Sequence, residues 1–176
     1  MDFLGRLRIA NRYEGAGLYH RGLANVKLLG KWGCIDKKEN IIIQPYYDHI
    51  EPFMEPLAIA VRDGKSGIID RKGKTRVPFE YDQIVRLSHG GFICELDGRS
   101  GLINEEGILK FYPKFDYIRD LRNGFVIVKR NGKYGVLSEE GIIMIPIIDD
   151  EMKYDPIHHV IMVSNRQDWK KLSLNP

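Results

Sequence analysis

The stretch LGKWGCIDKKEN at residues 29–40 decides the fold, because nearly the same phrase returns three times. It reappears as DGKSGIIDRKGK (63–74), DGRSGLINEEGI (97–108) and NGKYGVLSEEGI (131–142), each time 34 residues further on. Equal steps of this kind mark an array. One copy is too small to bury its own apolar face, so neighbouring copies must stack. The first glycine of the phrase (Gly30, Gly64, Gly98, Gly132) follows Asp or Asn in three copies. Asp63-Gly64, Asp97-Gly98 and Asn131-Gly132 are the dipeptides of a type I′ hairpin turn, in which both central residues need positive φ. The spacing therefore predicts that PLAIAVR pairs antiparallel with KSGIID, GGFICEL with RSGLIN, and GFVIVKR with KYGVLS. The turns RKGK and SEEGI reverse the chain again. Pro45, Pro78, Pro113 and Pro146 are expected to end the third strand, since proline cannot donate to a ladder.

Each unit then holds about three strands and a weaker fourth one in the loop that follows the recurring Tyr-Asp. No segment keeps a 3.6-residue apolar period, so little or no helix is expected. The predicted fold is all-β: tandem 34-residue antiparallel β-meanders stacked as an open twisted array, over one domain at 1–176. The units run about 1–29 (partial), 30–63, 64–97, 98–131 and 132–165, with a tail at 166–176. A closed five-bladed β-propeller is the alternative, because the chain begins within a unit and its tail could complete the first copy.

Composition excludes several classes. The 27 basic and 24 acidic side chains leave a net charge of only +3, so no dedicated nucleic-acid binder is expected. No apolar run reaches the 18 residues of a spanning helix, and no membrane insertion is expected. The N-terminal residues lack the apolar core of a signal peptide, and Cys34 and Cys94 fall in different phases of the repeat. A cytoplasmic, reducing location is the expectation, with both thiols acting as small buried groups.

The segment GKWGCIDKKENIIIQPYYDHIEPFMEPLAIAV at 30–61 resembles the WG-repeat (KWG-repeat) family almost slot for slot, and the resemblance extends over about residues 2–165. The family tryptophan stands only at Trp32; Ser66, Ser100 and Tyr134 replace it in the other copies. The resemblance implies a β-rich array of the kind common in bacterial proteins, acting as an interaction scaffold. It brings no catalytic residue and no cofactor.

The residues give the same answer. No phosphate-binding glycine loop and no G-x-S-x-G turn is present, so the chain reads as not an enzyme. His158 and His159 near Asp155 would point to opposite faces of a strand, which argues against a metal. The acid ladder Asp48, Asp82, Asp116 and Asp150 recurs in every copy and reads as structural, as an Asx-type bond to the turn after the proline. The basic ladder Lys31, Lys65, Arg99 and Lys133 is expected to pair with acids such as Asp36 and Asp70 across the hairpin. Function is sought where the copies diverge: residues 49–56, 83–91 and 117–124. These offer Met54, Arg86, His89, Tyr117, Arg119 and Arg122 as a binding surface for a protein or peptide. A carbohydrate- or cell-wall-binding module, with Tyr46, Tyr47, Tyr81 and Tyr112 as stacking platforms, is the alternative. No cofactor is expected.

Overall fold

The structure, a computed structural model, describes residues 12–53, 55–158, 160–165 and 168–173. The chain divides into two compact units, Met1–Asp82 and Gln83–Pro176. Both are built from antiparallel meanders, and no helix occurs among the described residues.

The first unit holds two four-stranded sheets. Sheet A runs β1 (Gly15–Ala16), β2 (Leu23–Leu28), β3 (Lys31–Asp36) and β4 (Ile41–Tyr47), in that spatial order. Sheet B runs β5 (His49–Ile50), β6 (Leu57–Arg62), β7 (Lys65–Asp70) and β8 (Thr75–Tyr81). The second unit holds sheet C, with β9 (Gln83–Arg86), β10 (Phe92–Leu96), β11 (Arg99–Ile103) and β12 (Leu109–Phe115). Sheet D follows, with β13 (Tyr117–Asp120), β14 (Phe125–Arg130), β15 (Lys133–Ser138) and β16 (Ile143–Asp149). Sheet E has three strands: β17 (Glu151–Asp155), β18 (Val160–Asn165) and β19 (Asp168–Ser173). Each sheet opens on the weak strand after the recurring acid, and all three predicted hairpins form in the predicted register.

The hairpin turns have the backbone the sequence demands. Asp63 and Gly64 have φ of 54° and 76°, Asp97 and Gly98 of 50° and 70°, and Asn131 and Gly132 of 51° and 78°. This is the double positive φ of a type I′ turn. In the first copy Leu29 takes the same conformation, at φ 51°.

The proline expectation needs correction. The proline-bearing strand, which is the fourth in each of sheets A to D, runs through its proline instead of stopping there. Trp32 faces Tyr47 and Cys34 faces Ile43, so the one residue between them in β3 opposes three in β4. The same shift recurs between β7 and β8, β11 and β12, and β15 and β16. A bulge leaves residues unpaired, so a ring without an N–H is tolerated inside the strand. This bulge also explains the second glycine of the phrase. A Cβ on Gly33 would stand 2.4 Å from the Ile43 carbonyl oxygen, and one on Gly101 2.5 Å from that of Phe111. The bulged strand crosses directly over this Cα, and only glycine leaves room.

Burial follows from stacking. In β6 and β14 four successive residues are buried, Leu57–Ala60 and Phe125–Val128; sheets C and E cover the two faces of β14. Between sheets A and B lie Cys34, Ile43, Tyr47, Ile50, Phe53 and Ala58. Leu87, Leu102, Phe115, Ile118 and Leu137 pack between sheets C and D. The variable tryptophan slot is part of this packing: Trp32 and Tyr134 lie against the cores, and Ser66 and Ser100 are buried opposite the large Tyr81 and Phe115. In sheet E, Met162 pairs with Lys171 where Val128 pairs with Gly135 in sheet D. Lys171 therefore stands in the glycine position, where its Cβ denies the close approach a bulged fourth strand makes elsewhere.

Candidate functional site

The two charged ladders meet each other, and this corrects both expectations about them. Lys31 reaches Asp48 at 2.5 Å and Lys65 reaches Asp82 at 2.6 Å; Arg99 pairs with Asp116 and Lys133 with Asp150. Asp36 lies at the far end of β3 from Lys31, about 16 Å along an extended strand, so it cannot be the partner. It caps the next turn instead: its Oδ1 accepts the N–H groups of Lys38 and Asn40. Asp70 does the same for Lys72 and Lys74, as do Asn104 for Ile108 and Ser138 for Ile142. The ladder acid has a second task. Asp48 Oδ2 accepts the N–H of Gly64, and Asp116 Oδ2 accepts that of Gly132. One carboxylate thus ties the basic residue of one sheet to the hairpin turn of the next. Lys31, then the Gly64 N–H, holds the Asp48 carboxyl below its ordinary value, and Asp48 raises Lys31. These residues are the scaffold's clamps.

The divergent segments behave differently. Met54 lies outside the described residues. Arg86 ends β9 with its guanidinium 4.6 Å from the Phe92 ring centre, so its stem is packing. Tyr117 and Arg119 are exposed on β13, and His89 and Arg122 are exposed at the tips of two loops. These loops, 87–91 from sheet C and 121–124 from sheet D, are bound together by a residue the sequence reading passed over. Asp120 Oδ2 accepts the Ser88 N–H at 3.0 Å and the Ser88 hydroxyl at 2.6 Å. Asp120 Oδ1 accepts the Arg122 N–H at 2.6 Å. Burial pushes the Asp120 carboxyl up, yet these three bonds outweigh it and leave it below its ordinary value. Arg122 is held at φ 60°, a conformation that costs an L residue energy and persists only when its surroundings fix it.

A third element closes the group. Glu139, in the turn after β15, is only 7% exposed. Its N–H donates to the Gly124 carbonyl at 3.1 Å. Its Oε1 has no hydrogen-bond partner, and its ion-pair contact, His89 Nδ1, lies 3.9 Å away. Burial first, and the Asp120 charge second, push Glu139 above its ordinary value; the opposing influence of the Gly91 and His89 backbone does not offset them. The same phase in the first unit carries Arg71, whose Nη2 donates to the Arg21 carbonyl at 2.6 Å. This turn position therefore probes the loop of the preceding sheet in both units. Its side chains, Lys37, Arg71, Glu105 and Glu139, are all polar in sequence, so nothing there announced burial.

The tyrosine platform is corrected. Tyr47 and Tyr81 are core residues; Tyr46 and Tyr112 are exposed, at 67% and 57%, in different phases of the repeat. No group of three His, Cys, Asp or Glu residues suited to a metal exists among the described residues. His158 Nδ1 bonds Asp155 at 2.7 Å, and Asp155 also caps its own turn. The His159 side chain lies outside the described residues. No described helix is long and apolar enough to cross a membrane.

No curated protein matches this chain. Among solved structures it is similar to a eukaryotic initiation factor, at 8% identity and TM-score 0.48, over 93% of this chain and 52% of that one. It is also similar to Kluyveromyces lactis Hsv2, at 9% identity and TM-score 0.41, over 86% and 58%. A third is the extracellular domain of a putative hybrid two component system from B. thetaiotaomicron, at 11% identity and TM-score 0.39, over 90% and 27%. The chain thus spans between 27% and 58% of these proteins' lengths. The model of the WG containing repeat matches residues 32–65, 67–94 and 101–134. Those three matches begin beside or on the glycine that lies beneath each bulge. The chain belongs to the WG-containing-repeat family.

Proposed function

We propose that the chain is a non-enzymatic scaffold that binds a protein or peptide through the divergent loops of its second unit. One observation carries this reading: Asp120 fixes two loops whose residues the repeat does not require, and so presents Arg119, Arg122 and His89 from a rigid base. A solvated loop of no consequence has no need of three bonds to one half-buried carboxylate. Rigid presentation lowers the ordering cost of binding, and arginine adds a planar fork of donors on an apolar stem. A cytoplasmic location belongs to the same reading, supported by two buried cysteines; burial pushes the Cys34 thiol up to about 12.

The test is selection from a random peptide display library with the full chain as bait. Binders that share a motif, and that lose affinity for a variant combining Arg119→Ala with Arg122→Asn, are the expected result. Asn is chosen at 122 because it tolerates positive φ. No enrichment, or enrichment indifferent to the variant, would overturn the reading. Arg86 is left intact because its loss would remove packing on Phe92.

A further inference from the structure

We propose that the buried carboxylate of Glu139 binds a primary ammonium group, supplied by a lysine side chain or a free N-terminus of the peptide that the loops engage; this rests on the reading above. Glu139 is buried at the junction of three chain segments, and its Oε1 lacks any hydrogen-bond partner. An unpaired buried carboxylate oxygen is costly, and the structure retains one beside the loops that diverge. A second buried acceptor without a partner, Asn123 Oδ1, belongs to the adjoining loop, next to the Gly124 carbonyl that receives the Glu139 N–H. Both unpaired atoms are acceptors, so the missing group is a donor.

The donor's chemistry can be narrowed. A divalent cation needs several oxygen ligands, commonly six or more. Asp120 already accepts three protein donors, and the described residues hold no metal-suited cluster. A guanidinium binds best to both oxygens of a carboxylate. Here Oε1 is the one oxygen of the carboxyl that is both buried and without a hydrogen bond. A compact ammonium with three donors suits a single carboxylate oxygen. His89, exposed with Nδ1 3.9 Å from Oε1, is too distant to hydrogen-bond that oxygen in this conformation.

The experiment titrates Nα-acetyl-lysine methylamide and glycine methylamide into the isotope-labelled full chain and follows the amide signals of Gly91 and Gly124. Saturable shifts with at least one ammonium compound are expected, none with Nα-acetyl-norleucine methylamide, and affinity weaker by at least about tenfold in Glu139→Gln. Which compound binds identifies a side chain or an N-terminus as the source. The norleucine comparison needs no variant, so it stands even if Glu139→Gln folds poorly. Equal response to the norleucine analogue, no response to either amine, unchanged affinity in Glu139→Gln, or saturation of the same signals by calcium chloride in place of the amine would overturn the proposal. Selected peptides with no basic residue in common and no sensitivity to Glu139→Gln would remove this inference and leave the interaction reading standing. A lysine response at Glu139 with no peptide binders would do the opposite.

Discussion

Two kinds of glycine recur in this chain, and they are required for different reasons. Gly98 has φ 70° and open space where a Cβ would go; Gly101 has a carbonyl oxygen 2.5 Å from that point. The first need is conformational and the second steric. Gly98→Asn should therefore cost little, because Asn accepts positive φ, whereas Gly101→Ala should cost about 1–3 kcal/mol through overpacking against backbone. Equal losses in melting temperature would contradict the distinction. Leu29 is the converse case: it is 87% exposed and sits at φ 51° where other copies carry Asp or Asn. Leu29→Asn should stabilise the protein by about 1 kcal/mol, read as a higher denaturation midpoint. The turn glycine was legible in sequence because Asp-Gly states its own geometry. The second glycine was visible as a repeat, but its cause was not, since a bulge on a partner strand leaves no local mark.

At the scale of elements, the ladder acid ties one sheet to the next. Asp48 serves Lys31 and the Gly64 N–H together, so Asp48→Ala should lower the melting temperature more than Lys31→Ala. High salt should shrink the lysine effect and leave the turn bond, because screening acts on the exposed ion pair. An equal effect of both substitutions at low and high salt would contradict the double role. The pH dependence follows from the shifts. The lowered Asp48 value gives stability that is present above its unfolded pKa, near 3.9, and lost as pH falls through the folded value. The raised Lys31 value gives stability present below about 10.4 and lost as pH rises through the folded value. The clamp therefore acts across the neutral range. Periodicity exposed both ladders but not their pairing, because a 34-residue period says nothing about whether a side chain points along its own hairpin or toward the next copy. The proline was misread similarly: absence of an N–H rules out a ladder bond, and a bulge needs none there.

For the molecule as a whole, periodic residues build and divergent ones are free to bind. The sequence located the divergent loops, and Arg119, Arg122 and His89 are exposed there, but Ser88, Asp120 and Glu139 were overlooked. Their roles depend on loops from two sheets meeting, which no local pattern encodes. Glu139 gives a separate thermodynamic check. Its raised folded value means the native state binds more protons between the unfolded pKa, near 4.3, and the folded one; stability there falls as pH rises. Glu139→Gln should thus raise the melting temperature at pH 7, and the difference should vanish below about pH 4. A variant less stable than the parent at neutral pH would contradict a buried, unpaired carboxylate. The division of labour itself is tested most directly within one short stretch. Asp116, Arg119 and Arg122 lie within seven residues, so location cannot separate their effects. The measurement is melting temperature and peptide capture for Asp116→Ala beside Arg119→Ala with Arg122→Asn. The account predicts that the first variant melts lower yet still captures peptide when folded, and that the second keeps its melting temperature and loses capture. A loop variant that unfolds, or a clamp variant that melts normally and loses capture, would contradict it.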